Sequence, residues 1–150
     1  MGVNSSLMKL HYEILANDLT YAGEASSNVK KTLVQLGINP MLIKKTAISM
    51  YEAEINAVIH GNGGAADIEI GSEKIVVCIS DNGPGIPDLE LAMQEGYSTA
   101  TDEVREMGFG AGMGLPNIKR YADKLDIETE VGKGTTLTII VYLSQSGKVR

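Results

Sequence analysis

Apolar positions along the chain switch between two periods, and the switches predict its elements. Lys9-Leu10-His11-Tyr12-Glu13-Ile14-Leu15 alternates well enough to form a first strand with one polar side. Gly23–Leu36 then takes helical spacing through Val29, Leu33 and Leu36, with Gly37 where a helix stop is expected. Asn39-Pro40 punctuates the chain, and Pro40 suits the first turn of a second helix running to about Ile59. The spacing gives that helix an apolar stripe of Ile48, Tyr51, Ile55 and Ile59. Gly61-Asn62-Gly63-Gly64 ends it. Ala66–Ile70 and Lys74–Ser80 read as a hairpin turned by Gly71-Ser72-Glu73. The second of these strands is almost continuously apolar, as a central strand covered on both faces would be. One short helix is predicted near Leu89–Gln94, a third main helix over Leu115–Leu125, and closing strands over Ile127–Glu130 and Thr136–Leu143. The order of elements predicts an α+β fold, a two-layer α/β sandwich with helices on one face of a mixed, mostly antiparallel sheet.

Composition narrows the class. The 150 residues fit one domain, 1–150, with residues 1–8 as a frayed tail. A chain of this length can bury roughly 70% of its unfolded surface without disulfides or a structural metal. Its net charge of −6 argues against a broad surface that neutralises nucleic-acid phosphates. Charged residues at 21% and the lack of a long apolar run argue against a membrane span. Cys78 is the single cysteine, so a cytoplasmic location is the simplest expectation. Met1-Gly2-Val3-Asn4-Ser5-Ser6 matches a myristoylation pattern formally, but so short a pattern arises easily and a plain tail is the simpler reading.

Four stretches could carry chemistry. Glu52 and Asn56 are spaced i, i+4 and share one face of the second helix, where a carboxylate could take a proton and an amide oxygen could hold Mg²⁺. Polar boundary residues with satisfied hydrogen bonds are the plainer reading. Glu54 lies about 200° around the helix from Glu52 and is expected to face away, where substitution should do little. Asp81-Asn82-Gly83-Pro84-Gly85-Ile86-Pro87 follows the most apolar strand; it is either an ordinary turn or a carboxylate at the mouth of a buried ligand pocket. Gly108-Phe109-Gly110-Ala111-Gly112-Met113-Gly114 sets glycine at every second position before a helix, which suits a phosphate cradle. The chain has neither a P-loop nor a Gly-x-Gly-x-x-Gly dinucleotide fingerprint. The fourth stretch, Gly132-Lys133-Gly134-Thr135-Thr136, would alone be a hairpin turn.

Together and in this order, the four motifs resemble the GHKL family of Bergerat-fold ATP-binding domains over about Ile48 to Leu143. Within it, Glu52–Gly61, Gly96-Tyr97-Ser98-Thr99, Gly110–Pro116 and Val131–Thr136 look like the small bacterial anti-sigma factors and serine/threonine kinases of partner-switching pathways. The resemblance implies ATP and Mg²⁺ as cofactors. It implies Glu52 as general base, Asn56 as Mg²⁺ ligand and Asp81 as acceptor for the adenine amino group. Gly83 and Gly85 would open the adenine pocket, Gly110, Gly112 and Gly114 would lie against the triphosphate, and Thr135 would assist at the adenine. Arg105 matches a lid arginine aimed at the terminal phosphate; an exposed, salt-bridged Arg105 is the competing reading. Ser98–Gly112 is expected to act as a lid.

The implied activity is a Mg²⁺-ATP-dependent protein serine/threonine kinase whose substrate is a small anti-sigma-antagonist (STAS-type) protein, with a sigma factor as a further partner and a homodimer left open. A nucleotide-gated binding module with little phosphotransfer is the first alternative. A histidine-kinase-type catalytic domain is the second; with only His11 and His60 present, no phosphoacceptor helix bundle is encoded here.

Overall fold

Local chemistry sets the helix ends in the computed structural model, which describes residues 7–94 and 114–143. Asn39 caps the longest helix through its side chain, which accepts from the Met41 N–H at 2.8 Å, and Pro40 occupies the first turn. Helix α1 (Glu24–Gln35) closes with Gly37 and Ile38 donating back to Val34 and Leu33. The order of elements is β1 (Met8–Ile14), α1, α2 (Pro40–Ile59), β2 (Gly64–Ile70), β3 (Lys74–Asp81), α3 (Leu89–Ala92), α4 (Gly114–Tyr121), β4 (Lys124–Glu130) and β5 (Gly134–Tyr142).

The five strands form one sheet in the order β1-β2-β3-β5-β4. All four described pairings are antiparallel, so the parallel component of the expected mixed sheet is not among them. Ile68, Ile75, Val77, Ile139 and Val141 point into a core shared with Val29 and Leu33 of α1, Met50 and Ala53 of α2, and Ile118 of α4. Burying each large aliphatic side chain contributes about 1.5–3 kcal/mol. The fold is the α+β sandwich that the element order implies.

Three local expectations are corrected. Strand β3 alternates between buried Ile75, Val77 and Ile79 and the half-exposed or exposed Val76, Cys78 and Ser80, so only one of its faces is covered by helices. Helix α4 stops at Tyr121, and Lys124 already belongs to β4. The cause is Asp123, which pairs with Lys45 of α2 while its other carboxylate oxygen accepts the Tyr142 N–H at 2.8 Å. Those contacts pin the chain where the helical pattern would have continued. On α2 the buried positions are Ile43, Thr46, Ser49, Met50, Ala53, Glu54, Ile55, Ala57 and Val58, whereas Tyr51 is exposed and Ile48 and Ile59 are half-buried. Two hydroxyls can share that stripe because Thr46 and Ser49 donate to the carbonyls of Leu42 and Lys45, one turn back.

Candidate functional site

The C-terminal half of α2 runs beside α4 and ends against the loop after β3, so one helix touches two sets of predicted residues. Glu52 and Asn56 lie on the side facing α4. Asn117, one turn into α4, donates its amide N–H to Glu52 Oε2 at 3.1 Å. Gly114 opens α4 against Asn56: a side chain there would begin 3.0 Å from Asn56 Oδ1 and 3.1 Å from Nδ2. Glu52, Asn56 and Gly114 therefore converge, with Asn117 as a member the sequence did not single out. Its signal was a polar residue between the buried Leu115 and Ile118, which on its own reads as an ordinary helix boundary.

Beyond Glu52, α2 runs on to Ile59 with His60 as its C-cap, and Asp81 docks against the next residue, Gly61. Asp81 Oδ1 accepts two backbone N–H groups, from Gly83 at 2.9 Å and Thr135 at 3.1 Å. Its Oδ2 accepts no hydrogen bond among the described residues. Burial pushes the Asp81 carboxyl above the usual aspartate range, and the two backbone donors and the charge of His60 only partly offset this. Burial likewise lowers His60, against the opposing pull of Asp81. Gly61 leaves room for the carboxylate, since a side chain there would strike Asp81 at 2.5–2.7 Å. The sequence marked Gly61 only as a helix end.

Thr135 is 7% exposed, and its hydroxyl lies 2.8 Å from that of Thr129. A half-buried carboxylate with one uncommitted oxygen beside a buried hydroxyl suits a flat ligand that offers an amino donor next to a ring acceptor, as adenine does. The predicted pocket glycines meet protein backbone in this structure. A side chain at Gly83 would begin 2.8 Å from the His60 carbonyl, and one at Gly85 would run into Glu130 and Val131 at the β4–β5 turn. These glycines let the 82–87 loop lie flat against its supports, and the Gly132 N–H donating to Pro84 O at 2.8 Å holds that arrangement.

Glu54 behaves unlike the expectation for it. It does face away from Glu52, but it is 3% exposed, and its carboxylate accepts from the backbone N–H groups of Gly23 and Ala25, both at 3.1 Å, and Ser26 at 3.0 Å. It caps α1 from another helix, at the end where the helix dipole favours an anion. Substitution here should therefore cost stability.

Arg105, Gly110 and Gly112, with the expected lid over Ser98–Gly112, lie outside the described residues. Among the described residues no group of three or more His, Cys, Asp or Glu could hold a metal ion. The fit to Mg²⁺ therefore rests on the carboxamide oxygen of Asn56, a hard donor suited to a cation that keeps most of its water and takes phosphate oxygens as further ligands.

The family model for histidine kinase-, DNA gyrase B- and HSP90-like ATPases matches residues 49–145, which span every residue above from Glu52 to Thr135. The chain belongs to this ATPase family. An anti-sigma F factor of Thermoanaerobacter sp. (strain X514) is 36% identical over 104 residues, covering 66% of this chain and 68% of that protein. The serine/threonine-protein kinase RsbT of Bacillus subtilis (strain 168) is 28% identical over 130 residues, covering 84% of this chain and 90% of that one. A crystal structure of the RsbU and RsbW domains of Rv1364c from Mycobacterium tuberculosis superimposes with a TM-score of 0.61 at 17% identity, which establishes the shared fold. That match covers 91% of this chain, while the chain spans about a third (32%) of that longer protein. Family membership carries ATP binding, and relatives of both kinds, anti-sigma factor and kinase, accompany it. Among the described residues no helix is long and apolar enough to cross a membrane.

Proposed function

We propose that the chain is a Mg²⁺-ATP-dependent protein serine/threonine kinase that phosphorylates a small anti-sigma-antagonist (STAS-type) partner in the cytoplasm. The observation that carries this reading is the convergence of Glu52, Asn56 and Gly114 at the start of α4. There, among the described residues, one neutral amide, that of Asn117, donates to the carboxylate, and no other hydrogen bond reaches it. A carboxylate so placed accepts the proton of a partner hydroxyl as phosphate transfers, a contribution typically worth 10²–10⁴-fold. Asn56 would hold Mg²⁺, which when bound neutralises charge on the phosphates. Asp81 Oδ2 receives the adenine amino group, and Gly114, with Gly110, Gly112 and Arg105 outside the described residues, faces the triphosphate. The RsbT match over most of both chains supports the kinase assignment.

The anti-sigma F factor relatives support a second reading, a nucleotide-gated module that holds a sigma factor or another partner with little transfer. Incubation with γ-labelled ATP and candidate partners separates the two. Label on a partner serine or threonine supports the kinase. Partner retention that requires ATP but leaves no label contradicts it and favours the gated binder.

A further inference from the structure

The hydroxyl that would meet the base beside Asp81 is held by a residue that no motif includes. Thr129, in β4, sits directly across from Thr135 in the antiparallel register. Its hydroxyl oxygen accepts the Ile86 N–H at 2.8 Å, which ties the loop following Asp81 to the edge of the sheet. The same hydroxyl lies 2.8 Å from Thr135 Oγ1 and 3.4 Å from the Gly134 carbonyl. A threonine hydroxyl has one proton to give. With a backbone donor already on its oxygen, Thr129 places that proton best on Thr135 Oγ1, the nearer acceptor by a wide margin. Thr135 then accepts from Thr129, and its own proton has no acceptor among the described residues. Asp81 completes the arrangement: its Oδ1 is occupied by the N–H groups of Gly83 and Thr135, and its Oδ2 accepts nothing among the described residues.

We propose that Thr129 is a positioning residue for nucleobase specificity: by donating to Thr135 it aims the Thr135 proton at the ring nitrogen next to the amino group that Asp81 accepts. This inference rests on the reading that Asp81 and Thr135 face the adenine. An acceptor beside a donor matches an amino group flanked by a ring nitrogen. It opposes guanine, which sets a carbonyl oxygen where the amino group would be. The hydrogen-bonded run from the Ile86 N–H through Thr129 to Thr135 polarises each member in turn, and it fixes a hydroxyl that would otherwise rotate. A threonine in a strand at a turn reads as β-propensity alone, so this role is not visible before the fold is known.

Calorimetry on the full chain with Mg²⁺ and ATP, 1-deaza-ATP or 7-deaza-ATP tests it. A neutral hydrogen bond is worth about 1 kcal/mol, so one of the two deaza analogues should bind wild type about fivefold more weakly than ATP. Thr135→Val should remove that penalty. Thr129→Val should shrink it to less than about twofold, and Thr129→Ser, which keeps the hydroxyl, should restore it. If Thr129→Val lacks a cooperative thermal transition, Thr129→Cys replaces it and should give an intermediate penalty, because a thiol is a weak donor. A full penalty in folded Thr129→Val or Thr129→Cys, with Thr135→Val abolishing it, overturns the role of Thr129 and leaves the adenine reading standing. Absence of a penalty in wild type with both analogues overturns the adenine-facing reading and this inference with it.

Discussion

Two sides of one helix show what distinguishes a carboxylate that builds the fold from one available for chemistry. On the α1 side of α2, Glu54 is buried and takes three backbone N–H groups from Gly23, Ala25 and Ser26. On the α4 side, Glu52 is half-buried and meets the single side-chain amide of Asn117. Both are glutamates of the same helix, two positions apart. Glu54 has its charge matched by fixed dipoles at a helix start, and little of its capacity remains for a ligand. Among the described residues, Glu52 keeps lone pairs open beside Asn56. The same contrast divides the oxygens of Asp81, one holding two backbone donors and the other none among the described residues.

The largest effect is expected on the saturated side. Glu54→Ala strips three backbone donors at a buried helix end of their acceptor and should cost about 3 kcal/mol. For a domain of this size, that lowers the thermal midpoint by roughly 6–12 °C, as differential scanning fluorimetry would show. A midpoint within about 2 °C of wild type would break the contrast.

On the open side, Asp81→Ala should leave the fold largely intact and weaken ATP roughly 10- to 150-fold, the range for a charged hydrogen bond of about 1.5–3 kcal/mol. Titration calorimetry showing equal affinity for ATP and GTP in wild type would contradict the assignment. Acidity sharpens this test. Burial raises the folded-state pKa of Asp81, so its charge costs stability above that pKa, and the cost disappears as pH falls through it toward the unfolded value. The protonated carboxyl is a weaker acceptor, with one oxygen turned into a donor. ATP affinity should therefore begin to fall at a higher pH than an ordinary aspartate would titrate, and Asp81→Asn should lack that step.

The smallest effect tests how tightly the α1 side is built. Gly23 begins α1 at φ +90°, and a side chain there would start 2.9 Å from the Tyr51 ring. Gly23→Ala should cost about 1–2 kcal/mol from backbone conformation alone, read as a lower urea midpoint. ATP affinity should stay within about twofold, because Gly23 lies against the α1 side of α2, away from Glu52 and Asn56.

How much of this was legible in the sequence follows the range of the forces involved. Helix α2 was readable because its start rests on adjacent residues, Asn39 and Pro40. Glu52, Asn56, Asp81 and Thr135 stood out as candidates because spacing on one helix and glycine-rich turns are local patterns; the roles proposed for them come from the family resemblance. The buried face of α2 was not. Alanines and back-bonded hydroxyls fill it, and Glu54 is buried for the sake of a helix some thirty positions earlier. The end of α4 was equally hidden, since Asp123 is committed to Lys45 and to the Tyr142 backbone. Thr129 and Asn117 gain meaning only from partners that the fold supplies. Tertiary contacts decided each of these points, and periodicity carries no record of them.

The central claim is that Glu52 is the proton acceptor of the site and Glu54 a cap. Single-turnover transfer from labelled ATP to the partner, measured for wild type, Glu52→Gln and Glu54→Gln at a temperature where all three are folded, tests it most directly. Glutamine keeps the size of each side chain and removes the capacity to take the proton. Glu52→Gln should slow transfer at least about a hundredfold with ATP affinity changed less than about fivefold, while Glu54→Gln should transfer within about threefold of wild type. Retained transfer in Glu52→Gln, or its loss in folded Glu54→Gln, would contradict it.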